Sequence, residues 1–511
     1  MTPIICLTFP MQRVRPLLVL RWLLALAVVV LGVTVRPLAV WAEPTVATRI
    51  ADQSFAGVHL VIDTWQMKAT IPVLSLDQAA MDALEEQLKR QVSNGSLPET
   101  REAVTQAVID AIEASPGTYF VATGETRSTE AQISAVGTGW TVTSDGYVVT
   151  AAHVVDKTQE ELIQGVGRNA LEKFLKSDLE VFASDDQWTE AQVKQIVSAL
   201  HKVYAATMTL SDVRHEVRVR LEEPGASGKV GREVSAKVVD KGAGFPGPDW
   251  AILKVDGETN LPTIPLGDES RTVTGAEMFI VGYPGTPTFF PGATVDSENT
   301  PTITTGSVTA IKASEVNGQE VPMFQTQAPA TGGNSGGPAF NSDGEAIGIL
   351  VAGSVDPTTG AALDGQAWVI QGSVVKEALQ RNSIIPEESE TTKLYNEALE
   401  AFYVDHFVTA KETFEQVKQL YPGHPYVSGF IEKSQQGIDE GRDRTPPPPV
   451  EEPHGHEEQE EPDLTLWVMV GMGVCTVLLV VVVTVAMVSA RRRRVPVPSH
   501  PQQGWGPPYR R

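Results

Sequence analysis

The sequence predicts a mainly β fold class, with added helices and one transmembrane helix. Three observations carry this reading. From Ala131 onward, short alternating apolar runs are broken by Ser144-Asp145-Gly146, Asn317-Gly318 and Ser342-Asp343-Gly344, the residue types that tight hairpin turns require. Before and after that region, apolar residues recur at helical spacing. Residues 464–490 form a 27-residue stretch without a charged side chain.

At 511 residues the chain exceeds one typical core, so several domains are expected. Charge divides it sharply. Residues 1–42 carry four arginines and no acid, and residues 464–511 carry six arginines and no acid, so residues 43–463 hold 30 basic against 63 acidic side chains, a net of −33. Such a surface disfavours nucleic acid and anionic lipid as partners. The two cysteines, Cys6 and Cys475, lie in the two apolar segments that frame the chain. The region between them must be held by its core without disulfides, which fits a bacterial envelope protein.

Residues 1–42 read as a signal peptide. Arg13, Arg15 and Arg21 lead into an apolar run over 23–35, and Val40-Trp41-Ala42 supplies small residues for cleavage before Glu43. An uncleaved anchor is the alternative. At the other end, residues 464–490 would extend about 40 Å as a helix, more than a ~30 Å hydrocarbon core needs. Arg491–Arg494 follow at once and place the tail, 491–511, in the cytoplasm. The region between the two apolar segments would then face the other side of the membrane.

Between these ends, residues 43–129 read as a mixed leader with two helices, 76–92 and 98–114. A β domain is expected over 130–385, with a helical insertion over 156–212 marked by helical spacing at 159–176 and 188–204. Residues 390–440 carry a further set of helices. Residues 441–463, with Pro446–Pro449 and an acidic run, have the composition of an extended stalk. His454 and His456 within it read as solvated side chains and not as a metal site, because two histidines fall short of a ligand set. No cofactor is expected.

Gly333-Asn334-Ser335-Gly336-Gly337-Pro338 sets one serine among glycines, which leaves backbone N–H groups free to face a developing oxyanion. A serine needs a base and an orienting acid. Val148-Val149-Thr150-Ala151-Ala152-His153 is a short apolar strand ending in a histidine, and Asp249-Trp250-Ala251-Ile252-Leu253 opens another strand with an aspartate. Asp240 and Asp256 flank Asp249, but only Asp249 begins the apolar strand.

These motifs, with Gly137-Thr138-Gly139-Trp140, Val281-Gly282-Tyr283-Pro284, Thr305-Gly306-Ser307-Val308 and Gln325-Thr326, occur in the order seen in trypsin-like serine proteases. Over about 130–380 the chain resembles their disulfide-free HtrA/Deg branch. The resemblance implies two packed six-stranded antiparallel β-barrels and a catalytic triad of His153, Asp249 and Ser335. It also implies an oxyanion hole at the Gly333 and Ser335 amides, and protein or peptide substrates. It further implicates Pro329, Ala330, Thr331, Leu350, Val351 and Ala352 in the substrate pocket. None of these is charged, so cleavage after small or medium apolar residues is expected in preference to Lys or Arg.

Leu394, Ala398, Phe407, Ala410, Phe414 and Pro422 stand at positions similar to those of one tetratricopeptide repeat. One repeat cannot bury its own face, so it must pack on the protease domain, a third helix or another chain. The PDZ domain common at this position in HtrA-type proteins is not read here. The alternative to an enzyme is a non-catalytic protease-fold binding module or sensor that recognises a protein partner through the repeat.

Overall fold

The computed structural model describes residues 43–182, 188–222, 231–285, 298, 300–355 and 362–447. The expected signal peptide, the 448–463 part of the stalk with His454 and His456, the span at 464–490 and the tail at 491–511 lie outside the described residues. Among the described residues, no helix is long and apolar enough to cross a membrane.

Twelve strands close into two six-stranded barrels. The first contains β1 (Val58–Leu76), β2 (Phe120–Thr141), β3 (Tyr147–Thr150), β4 (Thr209–Leu221), β5 (Arg232–Lys241) and β6 (Ala251–Val255), in the order β1-β2-β3-β6-β5-β4. The second contains β7 (Glu277–Gly282), β8 (Thr302–Val316), β9 (Gln319–Thr326), β10 (Pro338–Phe340), β11 (Ala346–Val355) and β12 (Ala362–Gln371), in the order β10-β11-β12-β9-β8-β7. Local chemistry closes the hairpins. Asn317 and Gly318 both adopt positive φ, 55° and 79°, and join Val316 to its partner Gln319 in a two-residue turn.

The domain boundary expected at 130 is too late. The first strand of the first barrel lies within the supposed leader, where Val61 pairs with Gly137 and Ile62 with Val136. Positions 58–64 are all buried, so the run shows no apolar and polar alternation to mark it as a strand. The two expected helices, now α2 (Gln78–Ser93) and α3 (Arg101–Ala114), are an excursion between β1 and β2. Asp77 and Thr100 cap them, accepting from the Ala80 and Ala103 amides. Ahead of β1 stands a short α1 (Val46–Ser54).

The expected insertion is helical but ends earlier than 212, because β4 begins at Thr209. After a one-turn α4 (Pro116–Tyr119) and α5 (Ala152–Val155), it comprises α6 (Gln159–Asn169), α7 (Glu172–Phe182) and α8 (Glu190–Thr207). Capping boxes at Thr158 with Glu161 and Thr189 with Gln192 start α6 and α8. These helices do not form an isolated lobe. Their Leu162, Val166 and Leu200 share one apolar cluster with Ile109 of α3 and with Met67 and Ile71 on the overhanging half of β1. Arg127 on β2 ties in Asp178 of α7 through an ion pair.

After the second barrel come α9 (Gly372–Arg381) and three helices, α10 (Glu390–Tyr403), α11 (Phe407–Leu420) and α12 (Val427–Asp439). The last three enclose Tyr395, Leu399, Phe414, Val417 and Phe430. Their outer attachments run to the protease domain and are largely polar. Thr263 donates its N–H to Thr392 Oγ1 at 2.7 Å, Ser389 donates to Thr263 Oγ1 at 2.7 Å, and Tyr403 donates to Asp52 of α1 at 2.7 Å.

Candidate active site

Strand register brings the histidine and the aspartate together. Thr150 at the end of β3 pairs with Ala251 at the start of β6. His153 lies three residues beyond the first and Asp249 two residues before the second, so antiparallel pairing makes them neighbours although 96 residues separate them. The Asp249 carboxylate is wholly buried, while the His153 side chain is 37% exposed. Asp249 Oδ1 accepts the His153 backbone N–H at 2.9 Å, and Oδ2 lies 2.7 Å from Nδ1. An ionised carboxylate only accepts, so in this pairing Nδ1 is the ring nitrogen that donates. Lys157 Nζ donates to the His153 carbonyl at 2.6 Å and steadies the short α5.

The flanking acids are engaged elsewhere. Asp240 accepts from Asn382 at 2.8 Å, and the exposed Asp256 pairs with Lys237 at 2.5 Å. Of the three aspartates, Asp249 is the one brought to His153.

The serine loop, residues 331–337, lies between β9 and β10 and is held from outside itself. The Gly285 N–H donates to Gly332 O at 2.6 Å, and the Gly336 N–H donates to Leu350 O at 2.7 Å. Thr138 of the first barrel gives its N–H to Ser335 O at 2.8 Å and its hydroxyl to Gly333 O at 2.7 Å. Gly333 and Gly336 have φ of 102° and 88°. A Cβ at Gly333 would stand 2.3 Å from Tyr283 O, and one at Gly336 would stand 2.2 Å from both Thr138 O and Thr150 Oγ1. Both positions therefore require glycine. That Cβ position at Gly336 is also 2.9 Å from the amide of Ala151, two residues before His153. The serine loop thus abuts the root of the helix that carries the histidine. Among the described residues, the amides of Gly333 and Ser335 have no acceptor.

The expected pocket residues divide. Ala330 is partly buried, Pro329 and Thr331 are exposed, and Pro329 O accepts from Thr304 at 2.9 Å. Leu350 and Val351 are 1% and 2% exposed, because alternation along β11 sends one into the second barrel's core and the other into the cluster between barrels. Their side chains belong to the core clusters, where the expectation had them in the substrate pocket. Ala352 pairs through its backbone with Trp368. A Cβ built at Gly353 would lie 3.5 Å from Ala330 O, so the two positions are neighbours. Thr138 and Glu222 carry no catalytic signature of their own in the sequence. A threonine between two glycines was the one local signal for the former.

Two closed barrels with a histidine paired to a buried aspartate on one and a glycine-framed serine loop on the other define the trypsin-like class of peptidase folds. Residues 137–349 match the family model described as the trypsin-like peptidase domain, and this part of the chain is a serine endopeptidase domain of that type. The curated relatives that the chain resembles are named as DegP-like or HtrA serine proteases. The chain is 37% identical over 117 residues to a probable periplasmic serine endoprotease DegP-like from Pseudomonas putida, covering 23% of this chain and 21% of that one. To the protein of the same name from Halomonas elongata it is 39% identical over 119 residues, 23% and 22% of the two chains. With the serine protease Do-like HtrA of Lactobacillus helveticus it shares 30% identity over 160 residues, 30% and 36% of the chains. The matched segments span about a fifth to a third of the length of these curated relatives.

Proposed function

We propose that the protein is a membrane-anchored serine endopeptidase that hydrolyses peptide bonds of proteins outside the cytoplasm. The observation that carries this reading is the Asp249–His153 pair held at 2.7 Å beside the docked Ser335 loop. In this reading His153 Nε2 takes the proton of Ser335 Oγ as the oxygen attacks the scissile carbonyl, and returns it to the leaving amine. Buried Asp249 keeps the ring in the Nδ1–H tautomer and stabilises the imidazolium that forms. The Gly333 and Ser335 amides, without acceptors of their own, stabilise the oxyanion; loss of one such donor typically costs about 10²–10³ in rate. The mechanism calls on no metal or cofactor. The extracytoplasmic site follows the periplasmic naming of the DegP-like relatives and the charge asymmetry around residues 464–490.

Labelling by a fluorophosphonate tests the reading. The protein should be labelled and should hydrolyse unstructured polypeptide, and Ser335→Ala should do neither. Folded parent protein that neither labels nor hydrolyses across a range of conditions would sink the proposal and favour a binding module.

A further inference from the structure

We propose that Tyr426, Glu222 and Tyr283 are positioning residues for Ser335, forming a part-buried hydrogen-bonded line through which the C-terminal helices hold the nucleophile loop. The inference rests on reading Ser335 as the nucleophile. Its starting point is that the loop leans on Tyr283. The Tyr283 N–H donates to Thr138 Oγ1 at 2.9 Å, and that same hydroxyl donates onward to Gly333 O. The Tyr283 carbonyl fills the space where a side chain at Gly333 would stand. A shift of Tyr283 along its own axis therefore moves both supports of the oxyanion turn.

The ring of Tyr283 is buried, at 1% exposure, and its hydroxyl donates to Glu222 Oε1 at 2.7 Å. Glu222 follows the last residue of β4, and its second oxygen accepts from the Tyr426 hydroxyl at 3.0 Å. Tyr426 stands directly before α12 and packs on Phe55 with ring centres 6.4 Å apart. One carboxyl thus joins the first barrel, the second barrel and the helical unit. Burial pushes the Glu222 carboxyl up to about 7, opposed by the two tyrosine hydroxyls and by Arg220. Arg220 is itself engaged by Glu233 at 3.0 Å. Among the described residues, these three are the titratable or charged groups that act on it.

An apolar contact would join the same surfaces at less desolvation cost. What a carboxyl with two directed hydroxyl donors adds is orientation, because each bond fixes a distance and an angle. That is what an oxyanion turn needs from its support, where small misplacement lowers rate with little effect on ground-state binding.

Tyr426→Phe deletes one hydroxyl and keeps the ring. The expected result is a roughly tenfold fall in kcat and in the rate of fluorophosphonate labelling, with KM changed less than about twofold. Deuterium exchange at amides 332–337 should quicken. Glu222→Gln should show the same pattern, and the milder Tyr426→Phe decides if that variant does not fold. Tyr403→Phe removes a comparable hydroxyl bond, to Asp52, from the same helical unit and should leave kcat and the loop's exchange unchanged. Parent-like kcat and exchange in Tyr426→Phe would overturn the proposal, as would equal losses in Tyr403→Phe. If the parent protein does not label, the reading of Ser335 fails, and exchange at 332–337 still decides whether the loop is tied to Tyr426.

Discussion

Thr138 and Ser335 belong to different barrels, yet the Thr138 N–H donates to the Ser335 carbonyl at 2.8 Å while the Thr138 hydroxyl serves Gly333 O and Tyr283 N. One wholly buried residue of the first barrel therefore pins the loop of the second. Thr138→Val keeps the backbone bond and the shape but strands a carbonyl and an amide. We expect about 1–3 kcal/mol of destabilisation in denaturant titrations and labelling slowed at least tenfold. A valine variant as stable and as reactive as the parent would show that the loop holds its form unaided.

The triad itself is tested by three substitutions. Ser335→Ala and His153→Ala should each abolish labelling and hydrolysis in folded protein. Asp249→Asn turns an amide toward Nδ1 and favours the wrong tautomer, so turnover should fall on the order of 10⁴-fold. Near-normal turnover in Asp249→Asn would remove the aspartate from the mechanism.

Stability against pH follows from buried groups. Burial lowers His424 to about 3 and His59 to about 4, so both are neutral in the native state. His424 Nδ1 accepts the amides of Tyr426 and Val427, which a proton on that nitrogen would forbid. Since the folded values lie below the ordinary 6.5, their contribution is full above pH 6.5 and is lost as pH falls through the lowered values, by roughly 1.4 kcal/mol per pH unit for each group. Urea midpoints should fall accordingly below pH 6.5, and His424→Asn should flatten the slope, since an asparagine can also accept those amides.

Glu222 works in the opposite sense. Its folded value is raised, so its contribution is full below about 4.5 and is lost as pH rises toward 7. In Glu222→Gln that opposing trend disappears, and stability should climb more steeply with pH between about 4.5 and 7. An unchanged slope would mean that the carboxyl is not buried in solution.

Cleavage should favour small or medium apolar residues, because no charged side chain stands among the expected pocket positions. Gly353→Val narrows the gap to Ala330 O and should depress peptide hydrolysis at least tenfold while labelling by a small fluorophosphonate changes little. Dominant cleavage after Lys or Arg would refute the pocket while leaving the triad intact.

Much of the site was legible because its chemistry is local. Gly333 and Gly336 are glycines for the steric reason that a reader of Gly-Asn-Ser-Gly-Gly-Pro infers, and Asp249 was separable from Asp240 and Asp256 by the apolar strand it opens. The first strand was not legible. Val58 to Thr64 are buried in succession, which erases the period of two, and the partner Gly137 lies 76 positions beyond Val61. Leu350 and Val351 misled for the related reason that a strand position beside a cleft does not reveal which face its side chain takes.

The sequence alone determined the nucleophile turn, the order of His153, Asp249 and Ser335, the Asn317-Gly318 hairpin and the helical periods, since each depends on φ preferences or on spacing within a few residues. Tertiary structure decided the rest. It made residues 58–76 a barrel strand, merged the leading helices and the insertion into one core, and set Thr138 and the Tyr283–Glu222–Tyr426 line behind the serine. Those contacts join residues tens to hundreds of positions apart, and such pairings are fixed by closure of the barrels and burial of shared surface, which no local pattern encodes.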